Sequence, residues 1–114
     1  MFGNDDALVE GLLEAGKTVS DPFWRLPLWD GYRDWLKSSI ADLNNISSKP
    51  FAGAITAALF LERFIGSDVR WTHIDSYAWN DSTRCGRPEG GEILGLRAIY
   101  EALPHVLGMT DLLN

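Results

Sequence analysis

The sequence predicts an α/β arrangement, a partial α/β/α layer fragment with about two short strands and four helices. Three observations carry that prediction. Segments with apolar residues at three- and four-residue spacing alternate with segments of period two, the order of a layered α/β protein. Only two segments have strand character. Two strands cannot form an independent sheet with both faces covered, so the remaining strands of the layer are expected elsewhere.

Asn4-Asp5-Asp6 supplies helix N-cap residues, and Leu8, Val9, Leu12 and Leu13 follow on one face, with Gly16 placed to end the helix. Asp21-Pro22 breaks the chain, and Arg25-Leu26-Pro27-Leu28 is expected to be extended, because a residue before proline avoids the helical region. A second helix is expected from about Asp30, with Tyr32, Trp35 and Leu36 on one side. Ile40 to Ile46 has the look of a short strand with polar residues on both faces. Phe51 to Ile65 reads as the strongest helix, small in its first half and bulky in its second, and Gly66 stops it. Small residues let another backbone approach closely.

Val69 to Trp79 reads as a strand with Trp71, His73, Asp75, Tyr77 and Trp79 on one face. Asn80 to Glu92 is polar and glycine-rich, a loop. The last helix is expected from about Glu92 to Leu103, with Ile93, Leu96, Ile99, Tyr100 and Leu103 as its apolar stripe until Pro104 disturbs it.

Charge and composition narrow the function classes. Ten Lys and Arg face sixteen Asp and Glu, a formal charge of -6 with no basic cluster, so nucleic acid is not an expected partner. The longest apolar run, Ala57 to Leu61, is too short to span a bilayer, and the acidic N-terminus lacks the basic start of a signal peptide. Cys85 is the lone cysteine, which points to a reducing, cytoplasmic setting. Five tryptophans are dense for 114 residues and are read chiefly as packing residues.

His73 and Asp75 share a strand face at spacing i, i+2 and are the candidates for metal ligation or acid–base work. A metal site needs three or four ligands, and the nearest others are Asp81 and the distant His105, so a structural role is favoured. Cys85 lies between Arg84 and Arg87, but without an adjacent histidine it reads as a bystander thiol. Gly86 to Glu92 lacks the spacing and the Lys-Ser/Thr of a phosphate loop and is expected to be a turn, with Glu92 near a helix start. Asn44 and Asn45 are either site groups or turn residues.

Four stretches resemble the leucyl aminopeptidase family. They are Asp21-Pro22-Phe23-Trp24-Arg25-Leu26-Pro27-Leu28, Ala41-Asp42-Leu43-Asn44-Asn45-Ile46, Gly53-Ala54-Ile55-Thr56-Ala57, and Trp71-Thr72-His73-Ile74-Asp75 followed by Gly86-Arg87-Pro88. The resemblance implies a C-terminal segment, residues 1–114, of a zinc-peptidase-like catalytic domain that releases N-terminal amino acids from peptides. It also implies two divalent metals, manganese or zinc, in the parent enzyme. The family's metal ligands and catalytic residues lie N-terminal to the matched region, so no catalytic or metal residue is assigned and no metal is expected to be bound by this chain.

What carries over is pocket wall: Ile46, Tyr77 and Asn80 match positions that face the substrate, and the last two replace smaller or apolar residues. Implied partners are the N-terminal remainder of the same domain, a peptide substrate, and further copies in a homo-oligomer, a hexamer in the family. The alternative is a stand-alone, non-catalytic interaction module of the same fold origin. A self-sufficient hydrolase built on His73, Asp75 and Cys85 is the weakest reading.

Overall fold

The computed structural model describes residues 1–108. Its elements are β1 (Phe2–Gly3), α1 (Asp6–Thr18), a 3-10 helix (Asp30–Leu36), α2 (Gly53–Glu62), β2 (Thr72–His73), β3 (Trp79–Asn80), β4 (Gly90–Gly91) and α3 (Leu96–Val106). β1 pairs antiparallel with β2, Phe2 opposite His73, and β3 pairs antiparallel with β4, Trp79 opposite Gly91. Four helical segments and two small sheets make a partial α/β fragment, as the sequence predicts.

α1 starts where its capping residues place it. The Asp5 carboxylate accepts the Leu8 N–H at 2.7 Å, satisfying a donor that the first turn leaves free. Asn4 does not cap the helix. Its side chain binds the Val69 carbonyl (2.9 Å) and the Trp71 N–H (3.0 Å), tying β1 to the strand segment. Gly16 does not end the helix either. It is buried inside α1, where a Cβ would meet the Asp21 carbonyl oxygen at 2.8 Å and the Ala98 Cβ at 3.5 Å. The glycine is there for close approach, and the chain turns only after Thr18, with Ser20 at φ 55.

That close approach explains the second departure from the sequence pattern. α3 packs on α1 through Ala98 and Ala102, with Ile99 and Val106 beside them, against Val9, Leu12 and Ala15. Of the expected stripe, Ile99 packs against the core, whereas Ile93, Leu96, Tyr100 and Leu103 are exposed. Small residues win the interface because they let the two backbones come together. Helix α3 also begins later than expected, at Leu96, and continues past Pro104 to Val106. Proline there removes one N–H close to the helix end, a smaller loss than in mid-helix.

Two expected strands are corrected. Ile40 to Ile46 is a series of bends, with Ile40 and Ile46 exposed and no neighbouring strand to pair with among the described residues. A strand needs a ladder partner, and period-two patterning alone supplies none. Val69 to Trp79 is not one strand either. Ala78 sits at φ 54, and the two ends of the segment join different two-stranded pairs.

The molecule is flat. Its extents are 54 × 39 × 18 Å and its radius of gyration is 16.7 Å, against about 13 Å for a compact domain of similar length. A second packed unit joins the 3-10 helix to α2 through buried Leu36 and Leu59 and through Arg33, which bridges Asp30 (2.7 Å) and Glu62 (2.6 Å).

Asp21 locks the first unit. It is 3% exposed, its N–H donates to the Gly16 carbonyl (2.8 Å), and its carboxylate accepts the N–H groups of Gly95 (3.0 Å) and Arg97 (3.1 Å). Burial by itself would raise its pKa, but the Gly95 N–H, the Arg97 charge and the further N–H groups of Arg97 and Ala98 outweigh it. The carboxyl is held below its ordinary 3.8. Such a group stabilises fully above its unfolded pKa and loses that contribution as pH falls through the lowered folded value. Asp21→Asn is therefore expected to cost about 1–3 kcal/mol at neutral pH, with the gap to the parent chain shrinking below about pH 4. Urea unfolding of both proteins at pH 7 and pH 3 checks this.

Candidate functional site

The segment between β2 and β3 carries the candidate site. Ile74 turns inward onto Phe23 and the α1–α3 core, while Asp75, Ser76 and Tyr77 are exposed. Ala78 then takes a left-handed conformation, uncommon for a residue with a Cβ, and its carbonyl accepts the Glu92 N–H at 3.0 Å. The turn swings Tyr77 to the rim of a cleft of about 400 Å³. Phe2, Phe23, Trp24, Ile74 and Leu94 line it, and among the described residues Asp75 brings the single charged side chain in its wall. The Tyr77 hydroxyl donates to the Asp81 carboxylate at 3.1 Å.

Asn80, expected on the sequence at a pocket position, is turned inward and only 5% exposed. Its amide donates to the carbonyls of Arg87 (3.1 Å) and Pro88 (2.7 Å), and its oxygen accepts the Arg84 Nε at 3.1 Å. Arg84 and Arg87 exchange backbone hydrogen bonds (2.7 and 2.9 Å), and both guanidinium groups bind the Glu92 carboxylate. Glu92 is thus the counter-ion of this loop and does not mark the start of α3, which lies four residues on. Cys85 is exposed at the tip of the turn between the two arginines, whose charges are committed to Glu92. Sequence reasoning misses this network, although two arginines and a carboxylate within nine residues are its visible signal.

The other candidates are dispersed. Ile46 is 76% exposed on the loop after the 3-10 helix and does not line the Tyr77 cleft. Asn44 is a turn residue: its N–H donates to the Leu36 carbonyl (2.8 Å) and its amide to the Lys37 carbonyl (2.6 Å). Asn45 lines a second shallow cleft with Leu36, Thr56 and Phe60. The His73 ring stacks on Phe2, centroids 5.9 Å apart, and its buried Nε2 has no hydrogen-bond partner among the described residues. Asp75 lies exposed in the cleft wall.

Comparison with known proteins places this geometry. The profile described as "Cytosol aminopeptidase family, catalytic domain" matches residues 1–100. The chain belongs to the cytosol aminopeptidase family. Its relatives include probable cytosol aminopeptidases of Roseiflexus castenholzii, 44% identical over 106 residues, and Geobacter sulfurreducens, 45% identical over 105 residues. Each alignment covers 90% of this chain and 21% of the relative, so the chain spans about a fifth of their length. Among solved structures, a cytosol aminopeptidase from Coxiella burnetii superposes with a TM-score of 0.87 at 48% identity, covering 91% of this chain and 23% of that one. The bottromycin maturation enzyme BotP in complex with Mn gives 0.82 at 35% identity, covering 92% and 24%.

Membership of this family raises the question of a metal centre, and the described residues do not fit one. Among the described residues, no group of three or more His, Cys, Asp or Glu is gathered to hold a metal ion. His73 and Asp75 are not joined by a third donor among them, and His73 is engaged with Phe2. No described helix is long and apolar enough to cross a membrane.

A buried nitrogen without a partner contributes no hydrogen bond, so the value of His73 here is its ring. His73→Phe keeps a planar ring against Phe2 and removes the orphan Nε2. The variant is expected to stay within about 1 kcal/mol of the parent chain, on either side. Thermal melts of the two proteins decide it, and a larger loss would reveal a partner for Nε2.

Proposed function

We propose that residues 1–114 form the C-terminal segment of the catalytic domain of a metallo-aminopeptidase, a peptide hydrolase that releases N-terminal amino acids. On this reading the segment supplies substrate-pocket wall, through Ile46 and Tyr77, and packing for the rest of the domain. Two divalent metals, manganese or zinc, would be held by residues outside this chain. The parent protein would be a cytoplasmic homo-oligomer acting on peptides.

The observation that carries the reading is the Tyr77 cleft: an apolar and aromatic concavity with one carboxylate and, among the described residues, no donor set for a metal. Such a surface binds a side chain and does no hydrolysis by itself. The uncovered apolar surface supports it. Trp24, Ile40, Phe51, Phe64 and Tyr100 are each more than two-thirds exposed, far more than a self-contained domain leaves open. A larger domain that covers this surface also accounts for the flat shape.

The test joins the chain to a complete relative. A chimera of the Coxiella burnetii cytosol aminopeptidase, with this whole chain replacing the segment it matches, is expected to hydrolyse leucine-p-nitroanilide with manganese and to lose activity to a chelator. The chain alone, given the same metal, is expected to be inert. A folded but inactive chimera favours the interaction-module alternative, and chelator-sensitive turnover by the isolated chain overturns the assignment of pocket wall without chemistry.

A further inference from the structure

The side chains behind the Tyr77 turn form a closed set. Asn80 spends both amide hydrogens and its oxygen inside the loop, on Arg87 and Pro88 carbonyls and on Arg84 Nε, so it has no donor left for a ligand. Glu92 gathers Arg84 Nη2 at 2.9 Å and Arg87 Nη1 onto one carboxylate that is only 10% exposed. None of Asn80, Arg84, Arg87 and Glu92 lines the cleft. Yet the Glu92 N–H holds the Ala78 carbonyl at 3.0 Å, and Asn80 sits opposite Gly90 in the β3–β4 pair. The network therefore fixes the residues on the far side of Tyr77.

Tyr77 needs that support. It is 72% exposed, and among the described residues its side chain has a single hydrogen bond, to the exposed Asp81. Packing does not hold its ring, so its direction is inherited from the backbone, and the backbone beside it is the left-handed Ala78. A left-handed alanine is disfavoured and persists where its surroundings impose it.

We propose that Asn80, with Arg84, Arg87 and Glu92, is a positioning assembly that aims Tyr77 into the cleft and so sets side-chain preference, without touching the peptide. The inference rests on the pocket-wall reading of Tyr77. Loosening the assembly spreads the Tyr77 ring over several directions, which weakens binding of the preferred side chain and leaves the hydrolytic step unaltered.

The experiment uses the chimera described above, with Asn80→Ala, Tyr77→Ala and the double variant, assayed on leucine- and phenylalanine-p-nitroanilide. Tyr77→Ala is expected to shift the ratio of kcat/KM between the two substrates by about tenfold. Asn80→Ala is expected to shift it in the same direction by raising KM, with kcat within about twofold. The double variant should then be no worse than Tyr77→Ala, because the two act as one unit. If Asn80→Ala does not fold, Glu92→Gln, which weakens both arginine contacts, takes its place in the same cycle. Additive effects of Asn80 and Tyr77, or an unchanged ratio in Asn80→Ala beside a shifted one in Tyr77→Ala, overturn the positioning role. A flat response to Tyr77→Ala overturns the pocket-wall reading, and this inference with it.

Discussion

The buried Asp21 carboxylate is the constraint on which the rest of the first unit depends. Its residue sits where the chain leaves α1, and its N–H returns to Gly16 while its carboxylate holds the first turn of α3. One residue therefore joins the end of one helix to the beginning of another, 74 positions on in sequence. A helix start offers unpaired N–H groups and a partial positive charge, and a buried carboxylate answers both. α3 has no capping side chain of its own: its N-cap is Gly95, in the left-handed region, where a Cβ would come within 2.6 Å of the Phe23 ring. The cap comes from a distant segment, so the helix is stable only once that segment is in place. Docking of α3 on α1 then closes the core over Ile74, and Ile74 orients the strand end that leads to the cleft.

Much of this is legible in the sequence, in places where local chemistry decides the structure. Asp5 as a cap, the α2 helix and the polar turn between Asn80 and Gly90 all follow from residue types within a few positions. The misreadings share one cause. The Ile40–Ile46 strand, the unbroken Val69–Trp79 strand and, apart from Ile99, the inward stripe of α3 all rest on periodicity, which reports which residues share a face but not what that face meets. Where no sheet lies alongside, alternation has nothing to pair with. In α3 the small face wins because Gly16 and Ala98 permit a closer approach than leucine would.

The candidate site is legible in a different way. Tyr77 stands out by resemblance alone, since an exposed tyrosine in a period-two segment has no local signature of binding. The Asn80 network is hidden because its members meet across a loop whose closure cannot be deduced from spacing. Charge patterning does contain the clue: Arg84, Arg87 and Glu92 are the kind of set that folds a polar loop onto itself, and charge-assisted bonds of this sort are stronger than neutral ones. A polar, glycine-rich stretch is easily taken for loose connection. Here it is the most heavily cross-linked part of the surface near the cleft.

The two pocket-wall positions of the proposed function stand on separately braced units, and this bears on how such a segment can vary. Ile46 belongs to the 3-10 helix and α2 unit, which is held by Leu36, Leu59 and the Arg33 bridge between Asp30 and Glu62. Tyr77 belongs to the loop unit held by Glu92 and Asn80. No charged contact couples the two braces among the described residues; Arg33 pairs with its own unit, and Arg84 and Arg87 with theirs. Substitutions in unconnected networks tend to add, whereas those within one network do not. On the proposed reading, a change at Ile46 would alter the fit of one side of the peptide and leave the Tyr77 wall as it was. On the same reading, the segment would accept such changes one at a time, because each brace would keep its own wall in place.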